Sequence, residues 1–115
     1  MVSMKQGSLE KRILQGLVDY LNDLYPGEIR LVQLFGPQAR SDARQDSDYD
    51  VLIVVKDRST INRSRIYDYV LDVNLKYGID LSLKIYGEDE FELFKKKGVP
   101  FVREVLSEGY ALWSQ

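Results

Sequence analysis

Leu9, Ile13, Leu14, Leu17, Val18, Leu21 and Leu24 recur at the three- and four-residue spacing of one helix face, which predicts a helix opened by Ser8 and closed by Tyr25-Pro26-Gly27. The pattern then shortens. Ile29 to Phe35 reads as a first strand, a helical turn follows Gly36, and Tyr49 to Val55 is a second, almost wholly apolar strand. Lys56-Asp57-Arg58-Ser59 is a polar loop. Ser59 or Thr60 is expected to open a second long helix through Tyr77, with Ile66, Val70 and Val73 on one side, Tyr67 and Leu71 beside them, and Gly78 as its stop. From Gly78 to Ile85 apolar and polar residues alternate, so a third strand runs from Ile79 to Tyr86. Helices near Asp89–Lys97 and from Val99 to Ser107, the latter with Pro100 in its first turn, precede a closing strand at Tyr110–Trp113. The order α-β-α-β-α-β-α-α-β predicts a two-layer α/β (α+β) domain, a mixed sheet with helices on one face.

Against that pattern one charged feature stands out. Ser47-Asp48-Tyr49-Asp50 leads directly into Val51-Leu52-Ile53-Val54-Val55. Side chains at i and i+2 of a strand share a face, which holds Asp48 and Asp50 about 7 Å apart along it, close enough to share divalent cations. Negative charge beside a buried apolar run is costly unless a cation or proton compensates it. A chain with 18 acidic residues makes such pairs by chance, and Glu88, Glu90 and Glu92 repeat the spacing. Those precede Phe91, Leu93 and Phe94 as the acidic first turn of a helix, which is an ordinary role. For Asp48 and Asp50 the ordinary role is an acidic loop that merely precedes a strand. Asp80, near the start of the third strand, joins the pair if the two strands are neighbours, giving three oxygen ligands suited to a hard ion such as Mg²⁺; alone it is a surface aspartate.

Composition removes the competing chemistries. With no His and no Cys, the chain has no Ser-His-Asp or Cys-His triad, no zinc site of the usual ligands and no disulfide. Absence of cysteine fits a reducing cytoplasm, and neither an export signal nor a membrane span is expected. The net charge of −2 argues against direct gripping of nucleic acid. Lys95-Lys96-Lys97-Gly98 suits a helix end, where cations complement the dipole. The 115 residues, 44% of them apolar, form one expected domain, 1–115, with material for a single core.

Leu34-Phe35-Gly36-Pro37-Gln38-Ala39-Arg40-Ser41, Ser47-Asp48-Tyr49-Asp50-Val51-Leu52-Ile53 and Ile79-Asp80-Leu81 together resemble the minimal nucleotidyltransferase (MNT) family of the polymerase-beta-like superfamily. That family shows an apolar strand, Gly-Ser, a short helix with an Arg, a Ser-Asp-x-Asp strand start and a later Asp. Val102 to Trp113 is similar to its closing helix, Gly and last strand. The resemblance implies the polymerase-beta-like nucleotidyltransferase fold with the acidic cluster on an open face of the sheet. It implies ATP as substrate, two Mg²⁺ ions, Asp48, Asp50 and Asp80 as catalytic and metal-binding residues, and Gly36, Pro37, Arg40 and Ser47 around the nucleotide.

Two departures bear on that site, one of them Ser41, which stands where the family commonly has Gly. Pro37 stands where the family carries Ser, and it has neither a hydroxyl nor an amide hydrogen. Helix N-terminal amides at Gln38, Ala39 and Arg40 remain as phosphate donors. Arg40 either reaches the triphosphate or pairs with Asp42 or Asp46, and Ser47 is either a turn cap or a phosphate contact. The family also implies a partner, a small helical HEPN-domain protein modified with AMP in a toxin-antitoxin pair. The alternative is an antitoxin that silences the same partner by binding alone. Phe91, Phe94, Phe101 and Trp113 crowd the C-terminal segment, and an exposed subset of them would mark an interface with that partner or with a second copy.

Overall fold

The computed structural model describes residues 8–40 and 48–115. Helix α1 (Ser8–Leu24) leads to strand β1 (Ile29–Phe35), the short helix α2 (Pro37–Arg40) and strand β2 (Tyr49–Val55). A single 3-10 turn (Arg58–Thr60) precedes helix α3 (Arg63–Tyr77), strand β3 (Leu81–Gly87), helices α4 (Glu88–Lys96) and α5 (Pro100–Glu108), and strand β4 (Tyr110–Ser114). No helix among the described residues is long and apolar enough to cross a membrane.

Two boundaries differ from expectation by more than one residue. Ser59 and Thr60 do not open α3, because Asp57 Oδ1 accepts hydrogen bonds from the Ser59 amide at 3.0 Å and its hydroxyl at 2.7 Å, closing the 3-10 turn instead. The cap is Asn62, whose Oδ1 accepts from the Ser64 amide at 3.0 Å. At the other end Gly78 takes the left-handed conformation, φ 67°, and stops the helix as expected. Strand β3 begins at Leu81 rather than Ile79, so Asp80 lies just before it, its carbonyl accepting from the Tyr49 amide at 2.9 Å.

The four strands form one sheet in the order β3-β2-β1-β4, with β2 and β3 parallel and β1 antiparallel to both β2 and β4. On one face Val32, Leu34, Val51, Ile53, Val55, Leu81, Leu83 and Ile85 meet Ile13, Leu14, Leu17, Val18 and Leu21 of α1 and Ile66 and Val73 of α3. This is the larger core. The mixed α+β sheet is as expected, but helices do not keep to one face. Phe35, Leu52 and Val54 project to the opposite side and pack with Phe91 of α4 and Val102 and Val105 of α5. The physical reason lies in β2: Val51 to Val55 is apolar at every position, and a strand apolar on both faces needs cover on both.

Phe91, Phe94 and Phe101 supply that second cover instead of an exposed patch, while Trp113 packs against the larger core. Phe101 meets Phe35 edge to face at 5.3 Å between centroids, and Phe94 meets Tyr86 at 5.5 Å. Phe91 is buried. The most exposed large apolar residues are Leu75 and Leu71 of α3, at 74% and 57%. The second cover is also stitched by one polar side chain: Gln33 Nε2 donates to the Val105 carbonyl at 2.5 Å. Gly109 permits this, since a Cβ there would overlap both groups.

Candidate active site

Helices α4 and α5 cover only part of their face. Along β3 the residues on that side are Ser82, Lys84 and Tyr86, and only Tyr86 is packed under Phe94 and Phe101. Ahead of that aromatic wall the sheet is open, and there the acidic strand start emerges. Asp48 is exposed just before β2, and Asp50 is half-buried on the open face. Strand register sets Asp50 between Phe35 of β1 and Ser82 of β3, with Leu52 beside Lys84.

The Gly36-Pro37 turn lies against the same carboxylate. Gly36 has φ 74°, and a Cβ on it would lie 2.5 Å from Asp50 Oδ2. Glycine is therefore required twice, by backbone conformation and by the close approach. Burial raises the Asp50 pKa, the Asp48 charge raises it further, and Lys84 partly offsets both. A cation bound beside Asp50 would favour its charged form against both of these effects.

Of the seven residues expected at the site, the structure brings together Asp48, Asp50, Gly36 and Pro37. Asp80 is directed elsewhere: its Oδ1 accepts a hydrogen bond from Asn74 Nδ2 near the end of α3. Among the described residues no three His, Cys, Asp or Glu side chains gather as a metal-holding group. The pair still fits Mg²⁺, which is commonly held by one or two carboxylates together with substrate phosphates. Of the amides expected for phosphate, that of Ala39 is already used, donating to the Gly36 carbonyl at 3.1 Å. Arg40 is the last residue of α2, and Ser47 lies outside the described residues.

Ser82 and Lys84 are the neighbours that sequence reasoning missed. The signal was present, because both share Asp80's parity on the polar side of β3, but the parallel register that sets them beside Asp50 appears only in the fold.

A mixed sheet that presents a paired Asp-x-Asp strand start beside a Gly-containing strand-to-helix turn defines a nucleotidyltransferase domain, and the chain belongs to that family: the family model described as "Polymerase beta, Nucleotidyltransferase" matches residues 15–115. It is 34% identical over 105 residues to a Methanocaldococcus jannaschii chain provisionally named a protein adenylyltransferase, covering 90% of this chain and 98% of that one. Among solved structures it shares the fold of a Sulfolobus solfataricus chain described as a nucleotidyltransferase, at TM-score 0.55 and 21% identity, covering 98% of this chain and 94% of that one. It also shares the fold of a chain in the complex of tri-AMPylated Shewanella oneidensis HEPN toxin with MNT antitoxin, at TM-score 0.52 and 15% identity, covering 91% and 73% respectively.

Proposed function

We propose that this chain transfers AMP from ATP to a hydroxyl of a small helical HEPN-domain protein and acts as the antitoxin of that pair. The observation that carries the proposal is the close approach of the Gly36 turn to Asp50, the half-buried carboxylate of the Asp48/Asp50 pair at the start of β2. The catalytic set is Asp48, Asp50 and Asp80, and the nucleotide-binding set is Gly36, Pro37, Arg40 and Ser47. Asp48 and Asp50 would hold magnesium, with Asp80 shared by a second ion, and the metal would supply charge neutralisation on the triphosphate and acidify the acceptor hydroxyl.

The chain's own residues do the rest. Gly36 lets the backbone approach the phosphates, while Asp48 and Asp50 set the orientation of the triphosphate from one strand face. The acceptor oxygen forms a bond to the α-phosphorus as the bond to pyrophosphate breaks. The acceptor proton passes to Asp80, a carboxylate able to act as general base, and from there to water. For that role Asp80 exchanges its hydrogen bond from Asn74 for one to the acceptor.

The test is to incubate the chain with a HEPN-domain partner, Mg²⁺ and ATP labelled on the α-phosphate. Label should appear covalently on the partner. Silencing of the partner in an assay free of ATP and Mg²⁺, with no mark on it, would overturn the proposal. That outcome belongs to a second reading, a non-catalytic antitoxin acting by binding, which is favoured by Pro37 in the phosphate turn and by the Asn74 bond that holds Asp80 apart.

A further inference from the structure

We propose that Lys84 is a substrate-binding residue for the triphosphate, adding a positive charge from β3 beside a phosphate turn whose Pro37 has neither hydroxyl nor amide hydrogen. The inference rests on the nucleotidyl-transfer reading above and deepens it. Lys84 sits at the edge of the open half-face, between Asp50 and the wall formed by Tyr86, Phe94 and Phe101. It is one same-face position beyond Ser82, the register partner of Asp50, so its side chain starts from the same open face, one diagonal step from the carboxylate.

The described ion pairs are Arg30 with Glu88, Arg58 with Glu90, Lys76 with Asp72 and Lys95 with Glu92; Lys84 forms none of them and is exposed.

The site also has a demand for it. A triphosphate brings several negative charges toward two carboxylates that already repel each other. Pro37 offers neither hydroxyl nor N–H, and the Ala39 amide is spent on the Gly36 carbonyl. An ammonium on a flexible stem is a point charge well suited to phosphate oxygens. Lysine is otherwise poorly suited to a strand, and its ordinary use on an edge strand such as β3 is to discourage sheet-to-sheet pairing. That use makes no distinction between nucleotides, whereas binding to the distal phosphates does.

Calorimetric titration of wild type, Lys84→Met, Lys84→Gln and Lys84→Arg with Mg-ATP and, separately, with AMP separates the two. Loss of one charge-assisted contact should weaken ATP binding about ten- to a hundredfold in the Met and Gln variants. AMP affinity should stay within about threefold, and Lys84→Arg should restore most of the ATP affinity. In transfer assays KM for Mg-ATP should rise in the same variants with little change in kcat. Circular dichroism and melting midpoints establish that each variant is folded, and the neutral pair provides two independent replacements. Unchanged ATP affinity in a folded Met or Gln variant overturns the inference while leaving nucleotidyl transfer standing, and so does an equal loss for ATP and AMP. A wild-type chain that binds no Mg-ATP overturns nucleotidyl transfer itself and this inference with it.

Discussion

The parallel pair of β2 and β3 is acidic beyond both of its ends, and the two ends treat their carboxylates in opposite ways. Past the C-terminal end, Asp57 is held by Ser59, Glu90 accepts from Arg58 at 3.2 Å and from the Gly87 amide at 3.3 Å, and Glu88 pairs with Arg30 at 3.4 Å. An open cleft of about 570 Å³ there is lined by Lys56, Asp57, Arg58, Gly87, Glu88, Asp89 and Glu90, a mixture of both signs. At the N-terminal end Asp50 faces Asp48 and a glycine, with Lys84 as the cation that offsets their repulsion. Among the described residues, Asp57, Glu88 and Glu90 at the C-terminal end are met by hydrogen bonds and ion pairs, while Asp50 at the N-terminal end is met by the charge of Lys84 without an ion pair.

The most severe way to break the comparison is to remove charge from each end in turn. Asp48→Asn/Asp50→Asn should fold and lose transfer by about a thousandfold or more, because metal-dependent charge stabilisation amounts to several kcal/mol. Glu88→Gln/Glu90→Gln should transfer within about twofold of wild type. Rates with α-labelled ATP under equal Mg²⁺ check both, and similar losses at the two ends would erase the distinction drawn between them.

A smaller effect is expected from Pro37→Ser, which returns a hydroxyl and an N–H to the turn. One hydrogen bond to a charged phosphate contributes about 1.5 to 3 kcal/mol, so Mg-ATP should bind about ten- to a hundredfold more tightly. Titration calorimetry would show a weaker or unchanged complex if the turn does not face the nucleotide. Gly36→Ala in the same turn has the opposite sign. A non-glycine residue at φ 74° costs about 1–2 kcal/mol, and its Cβ displaces Asp50, so both melting midpoint and transfer should fall.

Stability against pH, measured without metal, sharpens the contrast further. Burial and the Asp48 charge raise the Asp50 pKa, so the folded chain holds that proton more readily than the unfolded chain does. Its contribution to stability therefore grows as pH falls through the raised value toward the ordinary one of about 3.9, and is lost as pH rises. Asp57 behaves in reverse. The Ser59 hydroxyl and amide lower its pKa, so its contribution is present above the ordinary value and disappears as pH falls through the lowered one. Asp50→Asn should accordingly raise the melting midpoint at pH 7 and flatten the acid side of the profile; a lower midpoint would mean that Asp50 is stabilised by contacts rather than strained.

The smallest effect belongs to the paired end. Arg58→Ala removes an ion pair whose side chains are 52% and 37% exposed, and such pairs contribute about 0–1 kcal/mol. Chemical denaturation should register no more than that.

Most elements were legible because local patterns settle them: α1, β1 and β2 fall within the residues that periodicity assigns, and Gly78 stops α3 where a left-handed residue is needed. What failed depended on choices between equivalent local signals. Ser59, Thr60 and Asn62 are all competent caps, and only the side chain of Asp57 removes the first two from contention. The second layer of helices was implied by the uninterrupted apolar run of β2 but overlooked, because the C-terminal aromatics that cover it also read as an interface. At the site, Asp48 and Asp50 were legible from spacing on one strand. The position of Lys84 was not, since it depends on the register between strands that lie far apart in sequence.

The same apolar run has a consequence for how the chain finds its fold. A strand with apolar residues at every position from Val51 to Val55 can slide by one residue against its neighbours without exposing any of them, so hydrophobicity does not choose between the registers. Asp50 chooses. A one-residue slip would turn its carboxylate under α1 and α3, into the larger core, where an unpaired charge is prohibitive. The acid that strains the native state is thus also the marker that rejects its nearest competitor. Asp50→Leu should consequently melt higher yet populate a second set of amide resonances, a more stable protein with a less certain structure.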